Sequence, residues 1–286
     1  MSIFISLTYV CCNIYQVGDS YYAVCDNSWA ISKFDASLTP FSESNVQIGD
    51  PNREEEDSGY EAIIHHNNTF YVIRESVQFV HILESEGTNI TKYHAVIEEI
   101  ILNEDDYEIR DQCKCEFEFE GDSKGFEGGF GMPGIDGEFY IVGLCEGNHC
   151  SESRKFHKGH GQMIMMKKNA SHPEGCIWET VKNISIPKTA HFRDYSDIDV
   201  TNDGKIAITS QEDSARWIGQ LFGVEDGFID PENIVFNESA YLVYDFPKSN
   251  ECLTVYCNIE GITFINDEMV MAVSDKMKGK GKQSFW

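Results

Sequence analysis

Acidic residues recur in pairs along this chain. Glu61 is followed by Glu75, Glu127 by Glu146, Asp197 by Glu212 and Glu260 by Asp275. Oxygen donors without thiols suit hard cations, so a site built from these side chains would take Ca2+, with Mg2+ as the second choice. Carboxylates held close together repel one another, which raises their pKa values unless a cation sits among them. A bound ion could polarise a phosphoryl or carbonyl oxygen and activate water, with a spare Glu as base. Arg74, Asn148, His149 and Lys276 lie beside these acids and are the candidates for touching a substrate. The acids also have a simpler use. In a repeated structure each copy can accept backbone N–H groups of its neighbour and hold the assembly together.

Each pair frames the same kind of segment. Gly59–Ser76, Gly125–Asn148, Tyr195–Ser214 and Asn258–Lys276 each hold two short apolar runs split by a turn such as Asn-Asn or Asn-Asp-Gly. Cys12–Asp26 is a weaker copy that closes on an acid but does not begin with one. Runs rich in Ile, Val, Tyr and Phe around such turns read as β-hairpins. Further strand-like runs follow each hairpin, for example Phe79–Leu83, His94–Leu102, Met163–Lys167, Thr180–Ile186 and Trp217–Phe222. A recurring unit of about four strands is the pattern of a propeller blade. The expected fold is therefore all-β: a single β-propeller domain over residues 1–286, with five visible four-stranded repeats and five or six blades. In a blade the start of the first strand and the end of the second lie at one face. The paired acids should thus form a ring around one mouth of the central channel.

Composition narrows the partners. The 286 residues carry 48 acids against 22 Lys and Arg, a formal charge of −26. No basic face is available for nucleic acid, and no run is long and apolar enough to span a bilayer as a helix. A small molecule or a protein is the expected partner, and the chain is expected to be a monomer. Met1–Cys12 lacks a basic flank and an Ala-x-Ala site, so it reads as an outer strand that could pair with the last blade. The last repeat is short of outer strands, so the chain reads as incomplete at its C-terminus. Ten cysteines and five Asn-x-Ser/Thr sequons leave the compartment open between cytoplasm and secretion. His65 and His66 should be exposed at a turn. The polar loop Glu146–His160 reads as a plain solvent loop, with a substrate-facing loop above the channel as the alternative.

The unit of Glu-Gly, apolar strand, turn, apolar strand and closing acid resembles the phytase-like (esterase-like phytase) and SdiA-regulated β-propellers. The residues that carry this are GFEGG at Gly125–Gly129 with LCEGN at Leu144–Asn148, GYEAI at Gly59–Ile63 with RES at Arg74–Ser76, and NIEGI at Asn258–Ile262 with SDK at Ser274–Lys276. The resemblance implies a site at the channel mouth, calcium in many members, and phosphate-ester or other ester hydrolysis in some. A gluconolactonase-like propeller is a second resemblance, with Asn148 and Asn258 where its ligands would fall. Few basic residues flank the repeat ends, which argues against inositol hexakisphosphate as substrate. Two functions follow: a divalent-metal-dependent hydrolase of a phosphate ester, other ester or lactone, or a non-catalytic binding scaffold with structural glutamates or a structural calcium ion.

Overall fold

The computed structural model describes residues 3–5, 12–39, 42–54, 56–83, 88–121, 124–147, 150, 159–246, 259–266 and 268–274. All the regular structure in them is β. After β1 (Ile3–Ile5), the first blade is β2 (Asn13–Val17), β3 (Ser20–Cys25), β4 (Ser28–Asp35) and β5 (Val46–Ile48). The second is β6 (Tyr60–His66), β7 (Thr69–Leu83), β8 (Thr88–Leu102) and β9 (Tyr107–Phe119). The third is β10 (Phe126–Pro133), β11 (Phe139–Cys145), β12 (Gln162–Asn169) and β13 (Ile177–Ser185). The fourth runs β14 (Asp197–Val200), β15 (Lys205–Ser210) and β16 (Ala215–Phe222). The small hairpin β17 (Val224–Glu225) and β18 (Phe228–Ile229) follows, then β19 (Val235–Phe236) and β20 (Leu242–Asp245). The fifth holds β21 (Ile259–Asn266) and β22 (Met269–Ser274).

Within each blade successive strands pair antiparallel. The first strands pack in sequence around a closed circuit: β2 on β6, β6 on β10, β10 on β14, β14 on β21, and β21 back on β2. Antiparallel blades whose inner strands close a ring define a β-propeller, and the described residues supply five of them. The second strands of the blades are buried on both sides, as in β11 and β15. An outer strand such as β9 alternates buried with charged residues along YEIRDQCKCEFEF. Where a fourth strand is expected in blade 4, the position is shared by β19 and β20, which both pair with β16. In blade 5 the third strand is β1, parallel to β22, with Ile3 beside Met271 and Ile5 beside Val273. The N-terminal run therefore joins the last blade.

The core lies between blades. Trp29, Tyr60 and Tyr107 fill the space between the first two, and Ile73, Phe126 and Trp178 the next. Phe130, Met163, Tyr195 and Trp217 fill the space between the third and fourth. Each large side chain here has no room to relax, so truncating Trp178 to Ala should cost about 3–5 kcal/mol. At the rim, β9 and β13 pair in parallel, so the second and third blades share one eight-stranded sheet. A Cys113–Cys176 disulfide crosses this seam. Lys168 adds to it, standing 2.6 Å from Glu99 and 2.5 Å from Asp111. Cys113 and Cys115 share a buried face, as strand alternation requires, but only Cys113 is bridged.

His65 and His66 are not turn-exposed as expected. Asn67 and Asn68 make a tight turn with φ of 49° and 62°, which folds β6 directly onto β7. The histidine rings are left against aromatic neighbours. His65 packs on Phe70, and His66 stacks on Phe139 of the next blade at 4.3 Å. Burial lowers the pKa of both.

Candidate functional site

The glutamates that lead three of the hairpins share one backbone device. Tyr60 pairs with Arg74 and Ala62 with Ile73, so Glu61 is an extra residue bulged out of the ladder. Glu127 is bulged in the same way between Phe126 and Gly128, and Glu260 between Ile259 and Gly261. A bulge re-aims the side chain it carries. All three bulges lie at the start of an inner strand, which is one end of the channel. The glycines around Glu127 have a steric reason. A Cβ on Gly125 would come within 2.8 Å of the Glu75 side chain. A Cβ on Gly128 would come within 2.9 Å of the Asp197 Cα.

At this mouth the carboxylates face one another. Oxygens of Glu75, Glu127 and Glu146 lie within 4.8 Å of each other. These residues come from two adjacent blades. Among the described residues Lys124 is a cation beside them, with Nζ 3.0 Å from both oxygens of Glu146. Burial pushes the Glu127 carboxyl well up, and the charges of Glu146, Glu75 and Glu260 push it further. Burial likewise raises Glu61, with added repulsion from Glu127, Glu75 and Asp26. The Cys12 thiol faces the same charges and is raised well above its ordinary value, chiefly by burial, so it stays protonated. Glu260 accepts a 2.8 Å hydrogen bond from the Gln211 amide.

Asp197 and Glu212 do not join this group, and the register explains why. Asp197 stands opposite Thr209, as Ala62 stands opposite Ile73 and Gly128 opposite Leu144. The position equivalent to Glu61 is therefore Ser196, and the one equivalent to Glu75 is Gln211. In blade 1, Asn13 stands opposite Val24, so Cys12 and Asp26 are the equivalents there. The sequence-based pairing in blade 4 is one residue out of step, which sends a strand side chain to the other face. Glu212 is exposed beside Arg193. Asp194 is spent on the Ser210 hydroxyl and the backbone N–H groups of Gln211 and Glu212.

Asp197 instead builds a hub across the channel. Its Oδ2 accepts the Ile262 N–H at 2.6 Å, and its Oδ1 accepts the Asn13 side-chain amide at 2.7 Å. Asn13 in turn accepts the Ile63 N–H at 2.9 Å. With Gly128 packed on Asp197, all five described blades meet at this pair. The small residues Ala62, Gly128 and Gly261 hold the equivalent positions in the other three blades and leave the space that the pair fills. Below it, Asp199 accepts the Phe264 N–H and the Thr263 hydroxyl. Burial raises Asp197 well above the usual carboxylate range, while its hydrogen bonds pull the other way.

Of the expected substrate contacts, Arg74 is turned into the fold. Its Nε donates to the Ser58 carbonyl, and its guanidinium lies 3.4 Å from Glu98 and 4.8 Å over the Trp29 ring. Asn148, His149, Asp275, Lys276 and Asn258 lie outside the described residues, as does most of the Glu146–His160 loop. Cys12, Asp26, Ser196, Gln211 and Asn13 also belong to the site or its support. For the first four a signal exists in the sequence: they hold the leading and closing positions of the two divergent copies.

No family model matches the sequence, and no curated protein is similar to it. Among solved structures the chain is similar to Hsv2 from Kluyveromyces marxianus. That match has 7% identity and a TM-score of 0.33, covering 82% of this chain and 72% of that one. It is also similar to apo AztD from Citrobacter koseri, at 8% identity and a TM-score of 0.28, covering 82% and 75%. The N-terminal domain of Nup159 matches at 10% identity and a TM-score of 0.27, covering 92% and 72%. The fold assignment rests on the strand order and the closed ring of inner strands, not on these likenesses. No helix among the described residues is long and apolar enough to cross a membrane.

Proposed function

We propose that this protein is a non-catalytic β-propeller binding scaffold whose acidic mouth is held in shape by a divalent cation, Ca2+ before Mg2+. The observation that carries the reading is the convergence of Glu75, Glu127 and Glu146 from two blades to within 4.8 Å. The donor set fits such an ion: three carboxylates, oxygen only, repelling one another, with one lysine in partial compensation. An ion there would tie blade 2 to blade 3 and present a charged rim to a protein or small-molecule partner. The resemblance to the phytase-like and SdiA-regulated propellers belongs to the same proposal, supported by the bulged Glu followed by a small residue in three blades. Hydrolysis draws less support. The Cys12 thiol is kept protonated and Arg74 is committed to Glu98 and Trp29. Two disulfides, Cys113–Cys176 and Cys145–Cys150, support maturation in an oxidising compartment.

Calorimetric titration of the chelator-stripped chain with CaCl2 and then MgCl2 tests the reading. Binding by the parent and none by a folded Glu127→Gln variant is the expected result. A parent that takes up neither ion overturns it.

A further inference from the structure

The hub of Asp197 and Asn13 closes the channel below the acidic mouth. Strand alternation puts Asp199 on the same side of β14 as Asp197, and Tyr15 on the same side of β2 as Asn13. Both therefore face the axis on the far side of the hub. There the channel opens into a cleft of about 580 Å³, walled by the ends of β2, β14 and β21 and by their turns. This is the scale of a small-molecule site, which runs from about 300 to 1,000 Å³.

The lining has a distinct chemistry. Tyr15 and Phe264 contribute aromatic surface, and Gln16, Asn202 and Asn266 contribute side-chain amides. An amide offers both donors and an acceptor. Burial first, and then the nearby Asp199 charge, lift the Tyr15 phenol to about 12, so it keeps its proton at neutral pH. Asp199 is anchored by the N–H groups of Val200 and Phe264 and by the Thr263 hydroxyl, which fixes the wall rather than leaving a loose charge. Asn266 is fixed in the same manner, its carbonyl accepting the N–H groups of Glu268 and Met269, which leaves its NH2 to donate. The lining acids are Asp199 and Asp203, the second held by the Thr201 hydroxyl, and none of the described residues lining the cleft is Lys, Arg or His. A phosphorylated or carboxylated ligand would find no counter-charge there.

We propose that this second mouth binds a neutral polyhydroxylated ligand of mono- or disaccharide size. The amide donors and acceptors would meet its hydroxyl groups, and the aromatic surface would meet its C–H faces. The site is separate from the acidic mouth, because the hub lies between them.

The test uses the full chain and saturation-transfer NMR. The probes are glucose, galactose, maltose and lactose, with choline as a cationic control and inorganic phosphate as an anionic one. At least one sugar should bind, and Gln16→Ala and Asn202→Ala should each weaken it by roughly ten-fold, the equivalent of one lost hydrogen bond. Both substitutions are at turn or strand-end positions. Circular dichroism checks each fold, and either variant alone suffices if the other misfolds. Glu127→Gln should leave sugar binding unchanged, which separates this site from the proposed cation site. The proposal fails if no sugar binds, if sugars bind both variants as well as the parent, or if only choline or phosphate binds.

Discussion

Two carboxylate sites at adjacent levels of the channel meet burial in opposite ways. At the mouth, Glu75, Glu127 and Glu146 point at one another, and the nearest compensation is Lys124. At the hub, Asp197 points at donors: the Ile262 N–H and the Asn13 amide. The first arrangement carries mutual repulsion, which is the reason a cation is proposed for it. The second is satisfied by the chain and gains nothing from one. Residue type does not distinguish them. The bulge does, because it turns the glutamates away from the ladder and leaves the next position free for the hub.

The largest effect should come from removing the hub. Asp197→Ala leaves the Ile262 N–H and the Asn13 amide buried without their acceptor, at a cost of about 3–5 kcal/mol. Urea unfolding measures this. A loss below about 1 kcal/mol would mean that the ring is held by packing alone. The mouth should behave in the contrary sense. At a Ca2+ concentration about a hundred times its dissociation constant, the parent should gain about 2.7 kcal/mol. Glu127→Gln should gain none, yet unfold later than the parent in chelator because a repelling charge is gone. Thermal scans with and without Ca2+ separate the two cases.

A third prediction concerns pH. Burial lifts Asp199 to about 6, so the folded chain holds this proton more tightly than the unfolded chain does. Its contribution to stability is complete below the unfolded pKa of about 4. It is lost as pH rises through about 6, on the order of 2–3 kcal/mol. Asp199→Asn should flatten that part of the stability profile, and an unchanged slope would exclude Asp199 as its source. The smallest effect sharpens the comparison within the ring. Gln211→Glu restores an acid at the closing position of blade 4 and removes the amide bonded to Glu260. It should tighten Ca2+ binding by a few-fold, about 0.5–1 kcal/mol, and lower stability in chelator.

Much of the architecture can be read from the chain. Period-two apolar runs and Asn-Asn or Asn-Asp-Gly turns mark the hairpins, and their recurrence marks the blades. The pairing of Glu61 with Glu75 and of Glu127 with Glu146 follows from hairpin geometry, and their meeting across blades from the ring that recurrence implies. Blade 4 is less readable, because Ser196-Asp197 and Gln211-Glu212 each offer an acid next to the equivalent position, and only the pairing with Thr209 picks between them. The hub is hidden for another reason. Asn13 and Asp197 are 184 residues apart, and neither looks special in its own hairpin. The Cys113–Cys176 bridge is hidden likewise, since its spacing of 63 residues repeats nowhere that spacing alone could reveal.

The distance between Asn13 and Asp197 also sets an order of events. A chain made from its N-terminus presents Asn13 early, and Asn13 can take the Ile63 N–H as soon as the second blade emerges. Its other partner arrives only with the fourth blade, and the Ile262 N–H that completes the hub comes with the fifth. Until those partners exist, the first blades can form only an open arc with an unfinished polar seam along the inner edge. Closure waits on a single aspartate that reaches back across 184 residues to Asn13.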